Sequence, residues 1–441
     1  MNDLLAVLFV TVIGAVVVAA SSGGFTHREK KWVTATFFLH VGFACAQVPI
    51  TLSFYGSSDM FLYFRYGEIL SQMMERDPSY VIPEVTALLL HKPHRLPMMI
   101  IGVGTSTASM SALAAWSFYL LGPSKYATCV AFAIFSLVGK MAMYRAFRAN
   151  VDSALRPMAA IATLFIPSFV FWSSGLIKEA VAVFGIGLSL YGVDLWIREG
   201  RAGRGWAFIV AGVVPVLLIK PYVMFPFVLA GGAWYYWARS LRWGRVHIRP
   251  VQLVVAAVVG VGGILLLAQQ FPEYSPDNFS VHASELQKIG RGIRGGGSNF
   301  ALGDEIPTTL GGQLAYAPLA LLASLFRPVI FEARNLLMLA NALETTFLTV
   351  LLIRIVVTRD LFRVRRQVMD DPFLVFCTVF VLALGVAVGL ASTNLGTLSR
   401  YRAPILPFLA LTLFVLQKPR HLHSKVEEPG AASPRVVGVA R

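Results

Sequence analysis

Apolar runs of about 17 to 25 residues recur from one end of the chain to the other, each closed by a short polar and often basic stretch. That is the length at which a helix rising about 1.5 Å per residue crosses roughly 30 Å of hydrocarbon. A helix also satisfies its own backbone hydrogen bonds where no water is at hand. The pattern predicts an all-α fold, a polytopic transmembrane helical bundle of about 11–12 spans. The runs lie near residues 4–20, 33–55, 126–147, 157–173, 180–196, 206–219, 221–238, 251–268, 336–357, 372–391 and 403–416. Pro97 to Leu121 is long enough to cross but carries Gly102, Gly104, Thr105, Ser106, Thr107, Ser109 and Ser111, so a re-entrant or interfacial path is the alternative. Leu314 to Phe326 is too short to cross alone.

Composition agrees: 56% of the 441 residues are hydrophobic and 14% charged, where a soluble domain carries about a quarter charged. A net charge of +15 would point to nucleic acid in a soluble protein. Here the basic residues sit between apolar runs, as in Arg198, Arg201 and Arg204, or Arg359, Arg363, Arg365 and Arg366, which is the positive-inside pattern, and no nucleic-acid partner is expected. Basic clusters at 145–156, 198–204, 239–249, 354–366 and 418–425 fall at every second loop and mark the cytoplasmic side. Ser173 to Glu179, the polar stretch 269–313 and Ala391 to Arg402 are then external. Arg28, Lys30 and Lys31 belong in the cytoplasm, which delivers Asp59 and the loop 56–96 to the outside if Pro97 to Leu121 does not cross once.

The membrane domain is expected over residues 1–418, followed by a disordered cytoplasmic tail at 419–441 rich in Pro and Gly. Leu4 to Ala20 has no basic residue before it and is expected to be a retained helix. Cys45, Cys129 and Cys377 each lie inside an apolar run, which excludes a disulfide framework and a cysteine zinc site.

Candidate chemistry gathers in the external turns. After the second run the chain reads Gly56-Ser57-Ser58-Asp59-Met60-Phe61-Leu62-Tyr63, in which Asp59 is a candidate general base and also suits the cap of a helix beginning at Met60. Ser174-Gly175-Leu176-Ile177-Lys178-Glu179 places two ionisable residues at the start of a span, with Ser174 as its cap. Lys288, Arg291 and Arg294 precede Gly295-Gly296-Gly297, a combination of guanidinium forks and open backbone amides suited to a phosphate. Glu332 and Arg334 read as paired interface charges, with Asn341 and Glu344 three residues apart on the next helix. Arg400 and Arg402 stand outside against the charge bias, which calls for an anionic partner, either a lipid headgroup or a substrate phosphate.

Asp59 with Tyr63 and Gly67, Ser174 to Glu179, and Arg400-Tyr401-x-x-Pro404 with Pro407 together resemble the polyprenyl-phosphate-dependent glycosyltransferases of the GT-C superfamily. The resemblance covers about a tenth of the chain by motif. It implies transfer of a sugar from a polyprenyl-linked donor to a glycan or lipid acceptor on the external face of a bacterial plasma membrane, within a surface-polysaccharide assembly complex. By that resemblance Asp59 is the catalytic base with Glu179 as second acidic residue, and Tyr63, Lys178, Arg291, Arg294, Arg400 and Arg402 bind substrate. The family commonly shows an adjacent acidic pair in the first loop, where this chain has Asp59-Met60, and one extra helix precedes. No cofactor is expected, with a divalent metal left open. Polysaccharide polymerases are similar in their many spans and large arginine-bearing loop. A transporter or flippase, or a non-catalytic scaffold, is the alternative of another class.

Overall fold

The computed structural model describes residues 3–55, 58–242, 281, 284, 299–300, 302, 307, 309–392 and 394–418. Among these residues the named elements are all helical, and an isolated bridge joins Asn299 to Asn394. The helices are α1 (Asp3–Ser21), α2 (His27–Pro49), α3 (Asp59–Arg76), α4 (Pro78–Leu89), α5 (Ser106–Leu121), α6 (Lys125–Ala149), α7 (Arg156–Ala160), α8 (Pro167–Phe171) and α9 (Lys178–Glu199). They continue as α10 (Ala202–Ile219), α11 (Met224–Arg242), α12 (Leu310–Ala315), α13 (Ala317–Phe326), α14 (Leu336–Thr358), α15 (Leu361–Met369), α16 (Pro372–Ala391), α17 (Leu395–Tyr401) and α18 (Leu406–Leu416).

Seven of the described helices are long and apolar enough to cross a membrane: α1, the His27–Ser53 helix that begins as α2, α6, α9, α10, α14 and α16. An eighth results if α17 and α18, bent by 73°, count as one span. The expected runs that depart from this do so for local reasons. Residues 157–173 form α7, a π-turn over Ile161–Phe165 and α8 rather than one helix, with Pro167 opening the last piece because its ring has no N–H to continue the ladder. Residues 221–238 form most of α11, which is not among the seven and whose second half reads Trp234-Tyr235-Tyr236-Trp237. Pro97 to Leu121 contributes only the 16-residue α5, after turns in which Gly102 and Gly104 both sit at φ +80°. Leu314 to Phe326 divides between α12 and α13 at Tyr316. The run at 251–268, the polar stretch that includes Arg291 and Arg294, and the tail 419–441 lie outside the described residues.

Helix α6 is the hub, and small residues explain why. Gly139 on α6 meets Gly187 on α9 so closely that a methyl group at either position would collide with its neighbour's backbone. The same holds for Gly185 against Gly212 and Gly192 against Gly205, which draw α9 onto α10. A residue without Cβ permits this approach at the cost of chain entropy. Helix α1 touches α6 through Gly14, over which the Ile134 side chain lies. Its other face, with Leu5, Leu8, Phe9, Val12 and Val16, is exposed.

The turn between α1 and α2 is fixed by charge. Thr26 and Glu29 form a reciprocal capping box, and Glu29 also accepts from Tyr144 Oη at 2.8 Å and from Arg148 at 2.8 Å. Arg145 donates to the Ser21 and Gly23 carbonyls. On the other flank α16 packs against α11, α13 and α18, with Phe373, Phe376 and Phe380 stacked along it and Phe408 and Trp234 set edgewise or tilted against them. Helices α3, α4 and α5 form a lateral unit. Leu70, Met74, Val85, Leu88, Ala108 and Ala112 make a second small core, while Met60, Tyr63 and Phe64 at the start of α3 belong to the main one. Helix α3 is thus seated in both, and its first turn faces the bundle.

Gly187→Val drives a branched side chain into the Gly139 backbone, and overpacking of this kind costs about 1–3 kcal/mol. The expected result is a lower thermal midpoint of the detergent-solubilised protein with Gly203→Val, where a Cβ meets open space, as the neutral control. Equal midpoints for the two variants would show that α6 and α9 are free to separate.

Candidate functional site

Charged residues converge where three helices begin and one ends. Ser58 caps α3 by accepting from the Phe61 amide at 3.4 Å, so the cap is Ser58 and not Asp59. Asp59 becomes the first helical residue, and its carboxylate is left to meet Arg400 on α17 at 2.9 Å. Ser174 likewise does not cap α9: its hydroxyl donates to the Val170 carbonyl at 2.6 Å, and Ile177 precedes the helix without a side-chain cap. That leaves the α9 terminus to Lys178 and Glu179, where the helix dipole favours a carboxylate.

Glu179 is the centre of the cluster. Its Oε1 lies 2.6 Å from Lys220 Nζ and 3.3 Å from Arg400 Nε, and its side chain is fully buried. Arg400 therefore bridges two carboxylates of different character, since the Asp59 side chain is 48% exposed and that of Glu179 0%. Only Asp59 can meet an incoming group without rearrangement. Lys220, at the C-terminal cap of α10, also lies 4.6 Å from the Tyr401 ring centre, and the Arg400 guanidinium 5.2 Å from the same ring. Tyr63, one turn on from Asp59, is buried and its hydroxyl has no hydrogen-bond partner. Burial, with Asp59 adding to it, pushes the Tyr63 phenol well above its ordinary range, so it is a standing hydrogen-bond donor.

Lys178 turns the other way. Its ammonium donates to Ser106 Oγ at 2.9 Å and Thr107 Oγ1 at 3.1 Å, the first two residues of α5. Among the described residues no carboxylate lies within ion-pair reach of it. Lys178, Lys220 and Arg400 set against Asp59 and Glu179 leave the patch with one positive charge in excess. An apolar cavity of about 420 Å³ lies among α5, α6, α9 and α10, lined by residues that include Leu113, Trp116, Phe132, Phe135, Val181 and Ile219. Val181 is one turn beyond Lys178, and Ile219 is the neighbour of Lys220. The cavity and the charges thus share helices α9 and α10, although none of the charged residues lines the cavity.

Five of the sequence-derived site residues, Asp59, Tyr63, Lys178, Glu179 and Arg400, come together here. Arg402 does not: it is buried and donates to the Arg327 carbonyl at 2.6 Å and to Thr345 Oγ1 at 2.9 Å, on the far side of the α17 corner. Glu332 pairs with Arg327, not with Arg334. Glu344 accepts from the Ser168 amide at 2.9 Å and from its hydroxyl at 2.5 Å, closing the start of α8. Arg291 and Arg294, with Lys288, lie outside the described residues. Lys220 is the residue that sequence reasoning missed. The signal was present, because Lys220 is a cation between two apolar runs, as Arg400 is. Among the described residues no three side chains of the metal-ligating kinds converge, and Arg400 occupies the position between the two carboxylates.

Lys220→Met removes one of the two cations from a fully buried carboxylate, a loss on the scale of about 3–5 kcal/mol for a broken buried pair. Glu179→Gln with Lys220→Met is expected to cost less than the sum of the two single changes, read from thermal unfolding in detergent. Strict additivity would show that the two groups do not hold each other. Comparison of the chain with protein-family models, with curated proteins and with solved structures gives no match.

Proposed function

We propose that the protein is a membrane-embedded glycosyltransferase of surface-polysaccharide assembly that takes a sugar from a polyprenyl-phosphate donor at the external face of a bacterial plasma membrane. The observation that carries this reading is the half-exposed Asp59 carboxylate held 2.9 Å from Arg400, which is itself anchored on the buried Glu179. A carboxylate beside a fixed guanidinium provides the two things the reaction needs. One is a base for the acceptor hydroxyl and the other a counter-charge for the departing phosphate.

In this reading the acceptor hydroxyl gives its proton to Asp59 as its oxygen bonds to the anomeric carbon. The bond from that carbon to the phosphate oxygen breaks, its electron pair leaves with the phosphate, and Arg400 neutralises the charge, with inversion at the sugar. Tyr63, buried one turn on from Asp59, backs the carboxylate from within the bundle. Lys220 and Glu179 are positioning residues that fix Arg400, and Arg402 fixes the α17 corner from behind through Arg327 and Thr345. The apolar cavity, which shares α9 and α10 with the charged cluster, suits the lipid tail of the donor. A polytopic membrane protein with the site outside and the C-terminus in the cytoplasm also fits the alternation of basic loops. The acceptor is a glycan or lipid of the envelope. A transporter has one point in its favour: the 153–171 and 395–416 segments are discontinuous, as ion-coupled carriers are near their sites.

Asp59→Asn is expected to lower transfer from a polyprenyl-phosphate-linked hexose by about 100-fold or more in proteoliposomes, with the fold retained. Full turnover by this variant would remove Asp59 as the base, and translocation of the donor without transfer would favour the carrier. Orientation is checked separately by replacing Cys45, Cys129 and Cys377 and placing a lone cysteine at Ser58. Labelling of intact cells by a membrane-impermeant thiol reagent is the expected result, and protection until the membrane is opened would put Asp59 on the wrong side.

A further inference from the structure

The interior of the bundle holds two ionisable side chains that the transfer chemistry does not use. His40 on α2 and Lys140 on α6 are fully buried, and both helices belong to spans long and apolar enough to cross a membrane. Taking an ionisable group out of water is costly, so one found there without a counter-charge marks a functional site. Lys140 sets its ammonium 3.1 Å from the Phe169 carbonyl and 3.9 Å from the centre of the Phe169 ring. Among the described residues no carboxylate lies within ion-pair reach of it. An ammonium has three N–H groups, and one carbonyl meets them here.

The surroundings of His40 fix which ring nitrogen carries the proton. Nδ1 lies 2.8 Å from the Thr36 carbonyl, which only accepts, and 3.2 Å from Thr36 Oγ1, whose own hydrogen goes to the Leu164 carbonyl at 2.7 Å. The proton therefore sits on Nδ1, and Nε2 is a bare base. Nε2 is buried and, among the described residues, has no hydrogen-bond partner. The ring is within electrostatic reach of Lys140. The other ionisable groups around α2 and α6 are engaged elsewhere. Glu29, at the start of α2, is held by Thr26, Tyr144 and Arg148, and Arg156 of α7 acts on Tyr144. Asp194 on α9 is taken by Asn150 and Arg198, and Glu179 by Lys220 and Arg400. Glu344 of α14 is taken by Ser168, while Cys45 and Cys129 act on each other. Helix α1 adds only Asp3, at its far start, and α5 only Tyr119, packed on Trp116. The π-turn Ile161–Phe165 and α8 contain no ionisable residue.

We propose that His40 and Lys140 form a proton-binding site in the interior of the bundle, holding one proton between the Lys140 amine and His40 Nε2. With the proton on Lys140 the imidazole is neutral. When it moves, an N–H bond of the ammonium breaks and its electron pair stays on Nζ. The proton bonds to the Nε2 lone pair, the imidazolium donates from both nitrogens, and the total charge is unchanged. No carboxylate is at hand to offset a second positive charge, so the site takes one proton and not two. A proton that moves between two facing helices is the element on which proton-coupled membrane proteins are built. This activity is separate from the chemistry at Asp59 and rests on none of its residues.

The test is solid-state NMR of the full-length protein in lipid bilayers with isotopically labelled histidine and lysine nitrogens. The signals of the pair are assigned by their loss in His40→Gln and Lys140→Met. At about pH 7.5 the wild type is expected to show a His40 ring protonated at Nδ1 and bare at Nε2, beside a Lys140 ammonium. Between about pH 7.5 and about pH 5, where ordinary histidines gain their second proton, the wild-type Nε2 is expected to stay bare. In Lys140→Met the same nitrogen is expected to take up the proton over that range, its resonance moving to that of an imidazolium. Lys140→Arg keeps a fixed charge at the position and is expected to keep Nε2 bare. Two protons on the pair in the wild type, or none, would overturn the proposal. A bare Nε2 throughout the range in Lys140→Met would do the same, since His40 would then be no acceptor. Should Lys140→Met fail to fold, the count of protons on the two wild-type nitrogens decides alone.

Discussion

The Glu179 carboxylate is the point on which the site depends. It is fully buried, and one oxygen holds both Lys220 and Arg400, so three separated pieces of chain are tied by a single acidic group. Two cations alone in that space would repel each other, and a carboxylate alone would be driven to take a proton. Each is tolerable only because the other is there. Asp59 is a dependent of this arrangement, since the guanidinium that meets it is fixed by Glu179 behind it. The exposed carboxylate is available for chemistry, and the buried one makes that availability reproducible.

The geometry requires helices that stop. A continuous helix presents saturated backbone and side chains directed to its flanks. The cluster is assembled from the first residues of α3, α5 and α9, the last cap of α10, and α17 before its 73° bend. Each interruption has a local cause: Ser58 as a cap, the paired glycines before Thr105, Pro221 after Lys220, and Pro404 and Pro407 after Arg400. The glycine seams among α6, α9 and α10 complement these breaks by fixing the depth at which the ends meet.

Apolar periodicity made the helical class and most helix positions legible, because length and hydropathy decide them. It was less informative where proline or glycine interrupts an apolar run, as at Pro167 or Gly104, since a run records hydrophobicity and not continuity. Asp59, Lys178, Glu179 and Arg400 stood out as charges at the turns between apolar runs. Their pairing did not, because the contact of Arg400 with Asp59 spans 341 positions and follows from how α17 folds back over α3. Arg402 shares every sequence property of Arg400 and points elsewhere, since a two-residue step around a helix corner reverses direction. Lys220 was passed over as a lone cation.

The exposed flank of α1 carries a different consequence. Acyl chains are as apolar as such a flank, so in lipid the hydrophobic effect gives no preference for a neighbouring helix, and close packing and polar contacts decide instead. On α1 these are the seating of Ala6, Val10, Gly14 and Val18 against the core, with Ile134 over Gly14, and the grip of Arg145 on the Ser21 and Gly23 carbonyls at its end. The attachment of α1 is therefore a matter of shape along one face and of a single guanidinium clasp at its end, so a change at Gly14 or Arg145 loosens it where a change on the bare flank does not.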